Sequence, residues 1–442
     1  MLLAFSAKPE ELEVLMLSLT FGNVEVQNCL RNVVTLFHYI EKEKAWRKEN
    51  GRPEGFEGLA ARKPIGEWHQ HPHMSPEETW KSLFKPTPEP LGTEEAADLQ
   101  KVKDAHKLFT PSLKPAHEEM LQLLRDNEPD TITIVAIGPL TNLAIAAATD
   151  PEAFLRVKEV VVMGGAVNWP GNCSAELPHQ PPDLHLLSSP LVTSIPVPPF
   201  NLIKQPNTPL RRQLNIRNQM TPGAEFNTYA DSVAAARVYA LTSPNPKTTM
   251  PPVVGKKALP PYPEKLSRQL KVKLFPLDIT EQHLLPRTLF NKYIEADALS
   301  GSPLTEWASL FLISTFRKIA SLDSHLDPDT IGLHLHDPLT IWYAMASADP
   351  LWKFVTEDLR ERSMLIDLKV ETSGQWTRGC CIVDRRQREV KQDLTVSLDE
   401  EVVGDAGGWR DARKGNRIER AVESPGGEKF ANLILERVFG SV

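Results

Sequence analysis

The sequence predicts an α/β protein on an open, mostly parallel sheet flanked by helices. The first sign is a strand–helix–strand unit within about 35 residues, 131–163, which argues for parallel pairing because the crossover helix must return the chain to the same sheet end. The second is the pair of strands that flank this helix, β-branched TITIVAI at 131–137 and VKEVVVM at 157–163 closing on Gly164-Gly165. The third is scale: 442 residues and 49.5 kDa with 41% hydrophobic residues suffice for a sizeable core.

Element by element, residues 1–10 carry apolar residues enough for part of a helix. Residues 11–22 (ELEVLMLSLTFG) form a short apolar run ending at Gly22 and predict a buried strand. In 23–44, Val26, Leu30, Val33, Val34, Phe37 and Ile40 recur at helical spacing, an amphipathic helix. Residues 48–115 read as weakly structured. A helix is expected over 116–125 with Pro115 at its first turn. After the strand at 131–137 comes an alanine-rich helix to Ala148, stopped by Asp150-Pro151, and then the strand at 157–163, closing on Gly164-Gly165. Residues 174–222 hold 10 prolines without any sustained period and are expected to be a disordered insertion. Further helices are expected at 232–241, 303–320, 338–346 and 428–438, and a strand at 273–280. Residues 363–371 and 377–385 read as a strand pair turning at Ser373-Gly374. The whole of 1–442 is taken as a single domain.

Composition excludes several function classes. Fifty Lys+Arg against 57 Asp+Glu give a net charge of −7, the wrong sign for gripping nucleic acid or anionic lipid. No apolar run approaches the ~20 residues of a membrane span. Four cysteines, Cys29, Cys173, Cys380 and Cys381, give neither a disulfide framework nor a C-x-x-C metal spacing. A reduced, cytoplasmic setting is the expectation.

Candidate chemistry is scattered. His336-Asp337-Pro338 reads either as a helix start, with Asp as N-cap and Pro at the first helical position, or as an imidazole and a carboxylate delivered to a crevice at the strand ends. Gly164-Gly165 is either a tight turn needing φ > 0 or a place where a ligand approaches the backbone. Glu225 and Asn227 are either caps or polar contacts, and residues 137–142 (IGPLTN) are either a βα turn or a source of carbonyl ligands. His69, His71 and His73 are expected to be surface residues. Cys380-Cys381 suits strand packing.

Leu19-Thr20-Phe21-Gly22-Asn23-Val24, IVAIGPLTN at 134–142, VVMGGA at 161–166, Gly171-Asn172, AEFNTYAD at 224–231, LHDP at 335–338 and VETSGQWTRGCCIVDRR at 370–386 together resemble the inosine–uridine-preferring nucleoside hydrolase family, in particular its longer fungal members. The resemblance implies a ribonucleoside hydrolase of salvage metabolism that cleaves the ribosyl C1′–N bond with bound Ca²⁺, its substrate a small nucleoside and its assembly a possible homo-oligomer. It implies Asp337 and the Ile137 carbonyl as metal ligands, and His336 as the aid to leaving-group departure. Asn23, Met163, Asn172, Glu225 and Asn227 become ribose- and metal-side contacts. The sequence departs from the family pattern in three ways. The Asp-x-Asp-x-x-x-Asp-Asp strand that opens the family's fold is not matched, so a first strand is expected to be missing and the domain truncated at its N-terminus. A His-Gly stretch has no counterpart between Ile65 and His71. Residues 174–222 separate Asn172 from Glu225. These departures predict impaired catalysis, through a faulty gene model or a decayed paralogue; the alternative is a non-catalytic sugar- or protein-binding relative. A nucleotide-binding oxidoreductase is disfavoured, since no Gly-x-Gly-x-x-Gly follows a strand.

Overall fold

The structure, a computed structural model, describes residues 1–22, 26–59, 63–67, 108–173, 221–252, 259–296, 299–322, 331–355, 366–386, 404–405 and 407–440. Asn23, the three histidines at 69–73 and nearly all of the Pro-rich stretch 174–222 lie outside these residues.

The main sheet has five strands, β4 (Thr133–Ala136), β5 (Glu159–Met163), β6 (Val272–Phe275), β12 (Glu419–Glu423) and β9 (Lys353–Val355), in the order β4-β5-β6-β12-β9. All neighbours are parallel except the last pair. Side chains alternate across it: Val161 and Phe275 enter one apolar core, while Val160, Val162, Val272 and Leu274 enter another. Every residue of β5 is buried, Glu159 included, the reason 160–163 read as an unbroken apolar run.

A separate three-stranded parallel sheet holds β1 (Leu17–Ser18), β2 (Lys63–Glu67) and β3 (Phe109–Pro115). Its edge is tied to the helix that follows β4: Asn142 donates from Nδ2 to Ser18 Oγ at 2.8 Å and to the Leu19 carbonyl at 2.7 Å. Two antiparallel pairs complete the strands, β7 (Leu284–Pro286) with β8 (Gly332–His334) and β10 (Leu368–Val370) with β11 (Cys381–Val383).

The helices are α1 (Leu2–Phe5), α2 (Val26–Glu49), α3 (Ala116–Asp126), α4 (Thr141–Thr149), α5 (Pro151–Phe154), α6 (Phe226–Ala230), α7 (Ser232–Ala240), α8 (Leu277–Thr280), α9 (Arg287–Ile294), α10 (Pro303–Leu322), α11 (His336–Met345) and α12 (Gly427–Phe439). Asp150 ends α4 and caps α5, accepting from Ala153 N–H at 3.0 Å. Between α2 and α10, Tyr39 stacks on Trp307 with centroids 4.9 Å apart. The fully buried Glu43 accepts from Arg47 at 2.8 Å and from Ser302 Oγ at 2.7 Å. A buried charge persists only when paired in this way.

Several expectations are corrected. The apolar run 11–22 yields just two strand residues, because most of it is only partly covered. Residues 48–115 are not uniformly irregular: β2 and β3 pair across them despite Pro64, Pro111 and Pro115. The run 273–280 stops being a strand at Phe275, where Pro276 caps α8. The helix expected from 338 begins at His336, with Leu335 as its cap, so Asp337 sits inside the first turn instead of capping it. The β7–β8 pair, β9, α9 and β12 had no expected counterpart, being three to eight residues each.

Candidate active site

The carboxyl ends of the parallel strands β4, β5 and β6 lead to Ile137, to Met163-Gly164-Gly165 and to α8. Met163, Ala166 and Leu277 form a small buried cluster with Ile137 packed against it, so the three strand ends meet. This is where open α/β sheets hold ligands.

The turn after β5 is fixed from several sides. Gly165 has φ +79°, the left-handed region that glycine enters freely, so the tight-turn reading of the two glycines holds. Its N–H donates to Glu225 Oε2 at 2.8 Å, and its carbonyl accepts from Leu277 N–H at 2.9 Å. Asp278 accepts from the N–H groups of Val167 and Asn168 at 2.9 and 2.8 Å and from Arg420 at 2.9 Å. Arg385 donates to the Val167 carbonyl.

Glu225 is 1% exposed and N-caps α6. Beyond the Gly165 bond, it accepts from Asn227 N–H at 2.7 Å, from Thr228 N–H at 2.9 Å and from Thr228 Oγ1 at 3.0 Å. Burial pushes its pKa up against those hydrogen bonds. Asn227 donates from Nδ2 to the Met163 carbonyl at 3.2 Å, and Asn172 Oδ1 accepts from Phe226 N–H at 2.9 Å. Met163, Asn172, Glu225 and Asn227 therefore form one hydrogen-bonded assembly. Behind it, the buried Asp231 caps α7 and accepts from Thr141 Oγ1 at 2.7 Å, tying α6–α7 to the start of α4.

Asp337 enters from α11. It is exposed to solvent, and crowding by the surrounding protein pushes its pKa up to about 6; the Met1 ammonium opposes that push and the charge of Glu225 adds to it. Because water reaches the carboxylate, solvent moderates the push.

His336 Nδ1 lies 2.8 Å from Thr280 Oγ1, and its Nε2 lies 3.9 Å from Glu281 Oε1. Burial, then the nearby His334, lowers its pKa to about 4, so the ring is neutral near pH 7. Of the expected residues, all but Asn23 fall around these strand ends. Thr280, Glu281, Asp278 and His334 went unnoticed in the sequence; each becomes visible only when α8 and the β7–β8 pair are folded against α11.

A metal finds a poor donor set here. Among the described residues no group of three or more His, Cys, Asp or Glu converges on a point where an ion could sit. Asp337 is exposed to solvent, while Glu225 is occupied by backbone donors; Ca²⁺ takes six to eight oxygens. The described residues do not fit it.

The strand order defines an α/β protein whose buried polar groups gather at the carboxyl ends of parallel strands. A sequence model of the inosine-uridine preferring nucleoside hydrolases matches residues 1–405. The chain belongs to that family, whose members are metal-binding hydrolases acting on N-glycosyl bonds. It is 25% identical over 268 residues to an uncharacterized protein of Schizosaccharomyces pombe, a match spanning 60% of this chain and 55% of that protein. It is 23% identical over 399 residues to the non-specific ribonucleoside hydrolase RihC of Klebsiella pneumoniae, covering 89% of this chain and 87% of that one. A solved plant nucleoside hydrolase shares its fold with TM-score 0.55 at 17% identity, covering 100% of this chain and 94% of that one.

Proposed function

We propose that the crevice binds a ribonucleoside and that the chain, acting as one domain, hydrolyses the ribosyl C1′–N bond slowly. The carrying observation is the hydrogen-bonded Glu225–Asn227–Met163 assembly at the strand ends, together with family membership. Cleavage leaves positive charge on the sugar ring as the base departs. A carboxylate on the crevice wall stabilises that charge, and fixed dipoles do so without reorganising. Asp337 supplies the charge. The Glu225 cap holds Asn227 and the Gly165 turn still, so the ribose meets a preformed surface.

Calcium is the ion the resemblance implies; the described donors do not complete its shell, and no step is assigned to it. Without a carboxylate shell to activate water, a contribution of about 10²–10⁴ in rate is forgone, and impaired turnover follows. The net charge of −7 and the absence of any helix long and apolar enough to cross a membrane among the described residues accord with a small nucleoside as the partner. A cytoplasmic salvage role and a homo-oligomeric state extend this reading.

Free-base release from inosine and uridine by the purified 442-residue chain tests it. Slow release, unchanged when a chelator removes calcium, is expected. Release that rises steeply with added calcium contradicts the metal assignment, and no release from either nucleoside overturns the hydrolase.

A further inference from the structure

The outer face of α10 has the pattern of a contact surface. On the inner side Leu304, Ala308, Leu312 and Phe316 recur every four residues and are buried, which seats the helix against α2, α9 and β8. On the outer side Leu310 is 49% exposed and Phe311 41% exposed. Among the described residues, no other two large apolar side chains are exposed at adjacent positions. Phe311 is held in place. Its ring packs edge-on against Trp307 with centroids 5.1 Å apart, and Trp307 stacks on Tyr39 of α2 at 4.9 Å. A ring fixed beforehand loses little rotamer freedom when a partner covers it.

Charge shows what this face fits. Glu306, Leu310, Ile313 and Arg317 follow one another at steps of four, three and four residues, so they share one stripe of the helix, about 60° wide. From either end the stripe reads charge, apolar, apolar, opposite charge. Glu306 and Arg317 are exposed, and neither makes an ion pair among the described residues. Eleven residues of helix, about 16 Å, keep them from pairing with each other. A two-fold axis at the middle of the stripe lays a second α10 antiparallel on the first. Glu306 of each copy then meets Arg317 of the other, and Leu310 meets Ile313. The two Phe311 rings lie beside each other on the opposite flank.

We propose that two copies of the chain associate through this face, as an isologous dimer with antiparallel α10 helices and reciprocal Glu306–Arg317 pairs. A net charge of −7 makes two copies repel at long range, so a surface that joins them needs opposite charges locally, and the stripe supplies both. Extent is also sufficient in order of magnitude. The 20 residues of α10 span about 30 Å, and with α2 beside it the panel is roughly 20 Å wide, the same order as the ~800 Å² per partner of a stable dimer. The pairing does not depend on turnover of a nucleoside.

Sedimentation velocity on the full-length chain tests the pairing. The parent should sediment as a dimer at micromolar concentration. E306R and R317E each set like charges against one another at both ends of the stripe, and each should weaken the dimer by at least about tenfold. An equimolar mixture of the two variants should recover it, because each carries the charge that the other lacks. L310D, which puts a charge into the apolar middle, should be monomeric. All three changes are at exposed positions, so circular-dichroism melts should match the parent's. A parent that stays monomeric at high micromolar concentration overturns the proposal. A dimer indifferent to both charge reversals lies on another surface and overturns it too. So does a mixture no tighter than its components, since antiparallel pairing requires the recovery.

Discussion

The molecule contains two parallel sheets built on opposite principles. In the five-stranded sheet, β5 is buried at all five residues, bonded on both edges and alternates its valines between two cores. In the three-stranded sheet, β1 is two residues long, and β2 and β3 include Pro64, Pro111 and Pro115, which have no N–H for a ladder. The register of that pair shifts between Ile65 and Glu67, and Leu113 is fully exposed. One sheet is buried along a whole strand, whereas the other reaches the core at single positions such as Phe109. The proposed ribonucleoside site lies at the strand ends of the first.

The sharpest way to break this comparison is to remove the cap that anchors the crevice. Glu225→Ala leaves the N–H groups of Gly165, Asn227 and Thr228 without their acceptor. At about 1–3 kcal/mol for each buried group left unpaired, urea unfolding should show a loss of at least about 3 kcal/mol. Glu225→Gln, which keeps an acceptor, should recover most of it. An alanine variant as stable as the parent would show the assembly to be loosely held.

Asp231 gives a pH-resolved version of the same question. Burial raises its pKa from 3.8 to about 6, against the hydrogen bonds from Thr141 and Ala234. A carboxyl whose folded pKa exceeds its unfolded one adds stability that is complete below about pH 4 and is lost as pH rises through 6. Asp231→Asn should therefore gain on the parent between pH 4 and 7, by roughly 2–3 kcal/mol at 1.36 kcal/mol per unit. His283, whose lowered pKa weakens the fold on the acid side, is common to both proteins and drops out of the difference. A flat difference across that range would contradict the burial of the group.

What could be read in the sequence follows the same divide. The strands at 133–136 and 159–163, the intervening helix and the Gly164-Gly165 turn were legible because an apolar run bounded by Gly or Asp-Pro has few alternatives. The Met163, Asn172, Glu225 and Asn227 group was legible through linked motifs. β2 and β3 were hidden by their own prolines, since propensity argues against a strand that only long-range pairing enforces. Glu281 and His334 lie 53 positions apart in sequence and gave no local signal; the fold brings them within 3.3 Å beside the β7–β8 pair. The α8 turn was lost because VKLFPLDIT reads as one apolar run until Pro276 redirects it.

Gly165→Ala sharpens the contrast by combining two penalties. At φ +79° an alanine is strained by roughly 1 kcal/mol, and its Cβ would stand 2.8 Å from Cys381 Sγ, an overpacking that costs about 1–3 kcal/mol. Gly51, at φ +65° with nothing within 4 Å of an added Cβ, carries the first penalty alone. Thermal melts should therefore place Gly165→Ala below Gly51→Ala. Equal melting points would mean that the turn after β5 yields to crowding as a surface loop does.

The smallest effect is expected where the second sheet meets water. Leu113 is 100% exposed on β3, whereas Val161 at the middle of β5 is 0% exposed. A side chain with no burial has no transfer free energy to lose, so Leu113→Ala should change stability by less than about 0.5 kcal/mol. Val161→Ala, which opens a void between close-packed neighbours, should cost about 2 kcal/mol. If Leu113→Ala proved the more damaging in denaturant melts, β3 would have to be covered at Leu113 in solution, and that position would be part of a contact surface.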